Sequence, residues 1–291
     1  MITNPNFDSL KLKDSGFCVS RKFINSEILD KINLELNELF NSFLLNGYNR
    51  GSIILNNLYN RQAITTPCIN INSINIMELI IDVYNLVIEE EKKKDYVVSN
   101  VMIFSEMGNP DPLKFHTDLR KDMCRAQIYL KGGKINSGGF RYIRESNTIS
   151  HNTKHELSKE DLKKYEDKIV DLSGSEGDLV VFDPYGFHGK HPCIEERRTI
   201  MFEFQPKHTD YPKSQIDFNG ALLTKKVLSN IEIFIHNYKK NDHYLDDYKN
   251  NYVLNFRILF KSIVSSLKLV FRKKKSEFFL KVRKKLSTFT D

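Results

Sequence analysis

The chain has only eight histidines, yet it places one of them two residues from an aspartate. His116-Thr-Asp118 opens the stretch "KFHTDLRKDMCRAQIYLKGG" (114–133), just ahead of a strand-like apolar run. A further histidine follows about 70 residues later, in "GSEGDLVVFDPYGFHGKHPCIEERRTIMFEF" (174–204). There a Gly-Asp turn leads into the buried-strand pattern "LVVF", and His188 and His191 come before two arginines that open another strand. Two imidazoles and one carboxylate on one face of a non-haem Fe(II) leave the remaining positions open for a co-substrate and O₂. In a strand-like segment residues i and i+2 point to the same side, so His116 and Asp118 can reach one metal. The third ligand is His188 or His191. An arginine fork on a neighbouring strand suits the distal carboxylate of a 2-oxoacid better than a lysine point charge. Arg197 and Arg198 point to opposite faces of that strand, and Arg197 shares its face with Thr199, a second group able to reach a carboxylate.

These residues need elements to position them. "GFCVSRKFINSEILDKINLELNELFNSFL" reads as a short strand and then a helix, with Ser26 as N-cap and Ile28, Leu29, Ile32, Leu36, Leu39 and Phe40 at helical spacing. A second helix is expected over 75–93. The pattern then changes to short β-like runs, "YVVSNVMIFS", "RAQIYL", "GGFRYI", "DLVVFD" and "RRTIMFEF", separated by Gly, Pro and Asn, which suggests an antiparallel sandwich or barrel. Between them "ELSKEDLKKYEDKI" reads as a solvated helical insertion. Gln127 and Tyr129 alternate onto one face of the strand after His-x-Asp, with Arg125 on the same face nearer the rim.

Four segments carry a resemblance to a known family. "DSGFCVSRKFINSEILDKI", "FHTD" followed by "AQIYLKGG", "SGGFRYIRESN", and "GDLVVFDPYGFHGKHP…RRTIMFEF" resemble the opening strand and helix, first ligand pair, central loop and closing ligand strand of the phytanoyl-CoA dioxygenase-like (PhyH) Fe(II)/2-oxoglutarate oxygenases. Together they span roughly residues 15–206. The resemblance implies a mainly β fold, with a double-stranded β-helix (jelly-roll, cupin-like) core, to which the element pattern adds a helical N-terminal flank and a basic helical C-terminus. It implies Fe(II) held by His116, Asp118 and His188, because the family's small residues and proline follow its second histidine, here Gly189 to Pro192. It also implies 2-oxoglutarate anchored by Arg197 and Thr199, with Gln127 and Tyr129 lining its pocket. The activity implied is oxidative decarboxylation of 2-oxoglutarate to succinate and CO₂ coupled to substrate hydroxylation. Asp118 argues against a halogenase variant, where a small residue leaves room for halide. In "SGGFRYIRESN", Gly139, Arg144, Glu145 and Asn147 stand where the family has Pro, Pro, Gly and His, so no substrate class carries over. His151, His155, His208, His236 and His243 sit in polar or helical settings and read as solvated.

Composition bounds the rest. At 291 residues with 40% hydrophobic and 28% charged residues, the chain can bury one full core. Cys18, Cys68, Cys124 and Cys193 form no CxxC pair and read as reduced thiols. With no leader pattern at "MITNPNFDSLKLKD", a cytoplasmic protein is expected. The net charge of +7 is uneven, because Arg257 to Lys285 carries eleven basic residues against one acid, Glu277, and the remainder is mildly acidic. The organisation expected is an oxygenase domain over 1–250 and a basic amphipathic helical tail over 251–291. In residues 255–286, apolar side chains recur at helical intervals among lysines and arginines. They suit a helix packed on the domain or one lying on anionic lipid. Nucleic acid is disfavoured because no reader fold accompanies the charge. The substrate expected is a small molecule, glycan or lipid-linked compound. Two rival readings use the same residues: a cupin-like metal enzyme without 2-oxoglutarate, and a non-catalytic binding protein of the same fold.

Overall fold

The structure, a computed structural model, describes residues 9–46, 62–65, 74–149, 156–209 and 224–234. The chain divides into two units, residues 1–36 with 52–238, and residues 37–51 with 239–291. Of the second, only 37–46 are described, as the end of one helix. The tail 251–291, Cys68, His151, His155, His236 and His243 lie outside the described residues.

In chain order the elements are α1 (Ser9–Ser15), β1 (Phe17–Ser20), α2 (Ser26–Asn46), β2 (Gln62–Thr65), α3 (Ile74–Val87), β3 (Tyr96–Glu106), β4 (Leu113–His116) and β5 (Cys124–Lys131). They continue with β6 (Phe140–Ile143), α4 (Lys159–Lys163), β7 (Ile169–Asp171), β8 (Leu179–Phe182), β9 (His188–Lys190), β10 (Arg197–Pro206) and α5 (Lys225–Ser229). The strands form two antiparallel sheets, one of six in the order β1-β8-β5-β10-β3-β2 and one of four in the order β4-β9-β6-β7. The strand spacing anticipated an antiparallel sandwich or barrel, and the resemblance a double-stranded β-helix; these two sheets form it.

Alternation along each strand sorts side chains into an interior and an outer face. Tyr129, Val180 and Phe182 from the large sheet meet Phe140 and Tyr142 from the small one in a single buried cluster. The Phe140 and Phe182 rings stand 4.5 Å apart across it. Burying each such ring contributes roughly 1.5–3 kcal/mol, and the Tyr129 hydroxyl adds a polar tie. It accepts from the Phe140 N–H at 2.9 Å and donates to the Leu172 carbonyl at 3.3 Å, fastening the two sheets. On the outer face, Asn33 of α2 donates to the Leu130 carbonyl at 3.2 Å, and Tyr84 of α3 packs edge-on against Phe204 at 5.7 Å.

Two helices are shorter than the sequence pattern suggests. α3 ends at Val87 rather than near 93, and Glu90–Asp95 forms a 3₁₀ turn. The Tyr84 hydroxyl donates to the Lys93 and Tyr96 carbonyls, folding the chain back to enter β3. The solvated insertion keeps only α4, capped by Ser158 accepting from the Asp161 N–H, and a 3₁₀ turn at Glu166–Lys168. The predicted Gly-Asp turn before β8 forms around Gly177 at φ +84°, where an added Cβ would lie 2.5 Å from the Ile24 carbonyl. Only glycine adopts that conformation readily and fits that approach.

Candidate metal centre

β4 and β9 run side by side, and their register sets His116 directly opposite His188. The ring centroids are 4.4 Å apart. Each Nδ1 faces a backbone carbonyl, Lys114 at 3.0 Å from His116 and Gly186 at 2.9 Å from His188. A carbonyl only accepts, so Nδ1 carries the hydrogen in both rings and Nε2 presents a lone pair inward. Asp118 lies just past the end of β4, where its N–H donates to the Pro184 carbonyl at 3.0 Å. The intervening Thr117 is buried and donates its hydroxyl to the Tyr185 carbonyl at 2.7 Å. Asp118 Oδ1 is then 4.0 Å from His116 Nε2, and Oδ2 is 3.8 Å from His188 Nε2. These ligand atoms all lie within 4.8 Å of one another and could hold a metal ion. Two nitrogens and one oxygen on one side of a site suit a first-row divalent metal with open positions.

The surroundings bias these groups toward ligation. His188 is buried among the Phe140 and Phe182 rings, at 5.9 and 5.0 Å. Burial and then the neighbouring His116 push its imidazole down to about 3, so at neutral pH it is uncharged and able to ligate. Burial alone would raise the Asp118 carboxyl, but Arg125, His188 and His116 outweigh it and hold it below the usual carboxylate range. Arg125 on β5 contacts Asp118 Oδ2 through Nη1. Its Nε and Nη2 close on Glu203 Oε2 at 2.9 and 2.7 Å. A β-bulge between Glu203 and Phe204 leaves Ser99 without a strand partner and turns its hydroxyl to within 3.2 Å of Glu203 Oε1. Arg120 Nη1 reaches the same oxygen at 3.2 Å.

Deeper along the same face, Arg197 is 5% exposed and Thr199 is fully buried, two residues apart on β10. Gln127 Oε1 accepts from Arg197 Nη2 at 3.2 Å. Three donors here, Arg197 Nε, Gln127 Nε2 and Thr199 Oγ1, are buried with no partner among the described residues. A buried donor left unmade costs about 1–3 kcal/mol, and a carboxylate, with about four acceptor positions, would satisfy the set. The donor chemistry therefore fits the far end of a 2-oxo dicarboxylate. Arg198 faces the other way, toward Asn33 Oδ1 at 3.4 Å.

The structure brings His116, Asp118 and His188 together and places Arg197, Thr199 and Gln127 on the same interior. Tyr129 shares that interior, but its hydroxyl is committed to Phe140 and Leu172. His191 stands apart from the cluster, its Nε2 3.4 Å from Asp171 Oδ1. His188 begins strand β9. Gly186 allows this, since an added Cβ there would meet the Tyr142 hydroxyl at 1.9 Å, and Ser146 Oγ accepts from the Phe187 N–H at 2.8 Å. Sequence reasoning missed Glu106, Lys190 and Glu203, all of them buried charges in strands. For Glu106 and Glu203 the one signal was a charged residue in register with an apolar strand pattern, which the short strand His188–Lys190 lacks.

No protein-family model matches the sequence, and no curated protein matches it. Solved structures do match. The "non-heme alpha ketoglutarate dependent carbocyclase SnoK from nogalamycin biosynthesis" aligns at TM-score 0.53 and 11% identity, over 74% of this chain and 90% of that one. The "epimerase SnoN in complex with Fe3+, alpha ketoglutarate and nogalamycin RO" aligns at TM-score 0.53 and 9% identity, over 73% and 89%. EctD from S. alaskensis, solved "with 2-oxoglutarate and 5-hydroxyectoine", aligns at TM-score 0.50 and 12% identity, over 68% and 74%. At such identities the likeness establishes the fold.

Proposed function

We propose that the chain is an Fe(II)- and 2-oxoglutarate-dependent oxygenase of the phytanoyl-CoA dioxygenase-like type, hydroxylating a small-molecule, glycan or lipid-linked substrate. The observation that carries the reading is a pairing of two sites on one interior: a His-Asp-His cluster and a set of unpartnered carboxylate donors built on Arg197. Among structures of this fold, SnoK is alpha ketoglutarate dependent, EctD was solved with 2-oxoglutarate, and SnoN with alpha ketoglutarate and nogalamycin RO, which supports the co-substrate and a small-molecule substrate.

Iron and 2-oxoglutarate bound together supply oxidising power from O₂, with succinate and CO₂ released. The chain's residues do the rest. His116 and His188 offer Nε2 lone pairs fixed by their Nδ1 hydrogen bonds, and Arg125 holds Oδ2 of Asp118. Arg197, Thr199 and Gln127 take the distal carboxylate, while Phe140 and Phe182 exclude water from the His188 side. Succinate formation from 2-oxoglutarate by purified protein tests this: it is expected to require Fe(II) and to vanish in Asp118→Ala. Fe(II) binding without 2-oxoglutarate binding would favour a cupin-like enzyme, and binding of neither would favour a non-catalytic protein.

The basic segment 255–286 supports a second element of the reading, peripheral attachment of a cytoplasmic enzyme to anionic lipid. Full-length protein should co-sediment with anionic vesicles, and a chain ending near residue 250 should stay in the supernatant. Equal recovery of both in the supernatant would remove this element.

A further inference from the structure

Arg197 and Glu106 are register partners on adjacent strands, with side chains on the same face. Two opposite charges so placed normally close into an ion pair. Here the pair is a long one with no hydrogen bond, Arg197 Nη1 standing 3.9 Å from Glu106 Oε2. The reason lies in the other sheet. Lys190, two residues after His188 on β9 and on the same face, crosses the interior and takes Glu106 Oε2. Asn109 Nδ2 donates to Oε1 at 2.7 Å. All three charged residues are buried: Glu106 is 2% exposed, Arg197 5% and Lys190 8%. Burial would raise the Glu106 carboxyl, but Lys190, Asn109 and Arg197 hold it below the usual range, so it is ionised. Among the described residues, Glu106 thus faces two basic side chains, Lys190 and Arg197, beside donors of Arg197, Gln127 and Thr199 that have no partner. Buried polar and charged groups left unpaired are costly, and a single carboxylate would satisfy these donors.

We propose that Lys190 makes this pocket selective for a 2-oxo dicarboxylate by holding Glu106, which otherwise closes on Arg197 and occupies it. The inference rests on the 2-oxoglutarate reading and deepens it. Lys190 sets the charge of the anchor, and Glu106 limits the pocket to one carboxylate.

The test compares two ligands that present the same 2-oxoacid end to the metal. One, 2-oxoglutarate, has the distal carboxylate; the other, 2-oxobutanoate, lacks it. Dissociation constants are measured by calorimetry on full-length protein loaded anaerobically with Fe(II). In Lys190→Met the preference for 2-oxoglutarate should fall by at least about tenfold, as expected when a buried charge pair is broken, with 2-oxobutanoate affinity unchanged. Removing the released carboxylate as well, in Glu106→Gln/Lys190→Met, should restore the preference to within about threefold of the original, the scale on which compensating changes balance. An unchanged preference in Lys190→Met, or a double variant as poor as the single one, overturns the proposal. If Lys190→Met fails to fold, Glu106→Gln and the double variant decide: both must keep the preference, and its loss in either refutes the inference. Native protein that binds 2-oxobutanoate as well as 2-oxoglutarate sinks the co-substrate reading itself, a result distinct from any variant effect.

Discussion

His116 and His188 are cross-strand partners, set opposite one another by the pairing of β4 with β9, with ring centroids 4.4 Å apart. The candidate metal site is therefore a property of strand register. A slip of one residue would send one imidazole to the opposite face. Backbone carbonyls of Lys114 and Gly186 fix both tautomers, so the two strands supply orientation as well as ligands.

Arg125 grips Asp118 with one nitrogen and Glu203 with two others, which aims the carboxylate. Arg125→Met should weaken Ni(II) or Co(II) binding about 10–100-fold, the usual cost of losing an outer partner of a metal ligand. Arg125→Lys should recover part of that loss, since an ammonium reaches one carboxylate but cannot fork onto both. Equal metal affinity in all three proteins, by calorimetric titration, would mean that Asp118 needs no such support.

The Tyr129 hydroxyl accepts from Phe140 and donates to Leu172. Tyr129→Phe leaves a buried N–H unmade and should destabilise the fold by about 1–3 kcal/mol, read as a lower thermal midpoint. The affinity for 2-oxoglutarate should stay the same. A weakened co-substrate affinity with unchanged stability would instead make Tyr129 a pocket residue.

Burial raises the Asp183 carboxyl to about 6, a shift only partly opposed by hydrogen bonds from the Tyr185 N–H and Asn147 and reinforced by nearby Asp122. The folded state therefore holds a proton that the unfolded state, near the ordinary 3.8, has released. That contribution is complete below about pH 4 and is lost as pH rises through 6. Asp183→Asn keeps the Oδ1 acceptor for Tyr185, 2.9 Å away, and removes the charge. It should stabilise the protein by about 2–3 kcal/mol at pH 7–8, with the gain disappearing near pH 4. Chemical denaturation across that range checks the sign, and a gain that grew toward low pH would contradict it.

The sandwich and its interior were legible because β5, β8 and β10 alternate or run apolar over several residues, and turn residues bound them. His-x-Asp, the later histidine and the arginine strand were legible as a set, since each type is uncommon in an apolar context. Arg197 could be preferred over Arg198 by its shared face with Thr199, and the structure puts Arg198 outside against Asn33. The rest depended on contacts between distant segments. Glu106, Lys190 and Glu203 read as surface charges until β3, β9 and β10 are brought face to face. The early end of α3 was hidden because the Tyr84 hydroxyl imposes it from within the helix, through carbonyls of Lys93 and Tyr96 that lie beyond its end.

Binding of 2-oxoglutarate to anaerobic Fe(II)-loaded protein, compared between the native chain and Arg197→Met, tests the central claim most directly. Native protein should take up one metal and one 2-oxoglutarate. Arg197→Met should keep the metal and lose at least about tenfold in 2-oxoglutarate affinity, the least expected when a buried charged partner is removed. No 2-oxoglutarate binding by the native protein, or equal binding by both, would contradict the account.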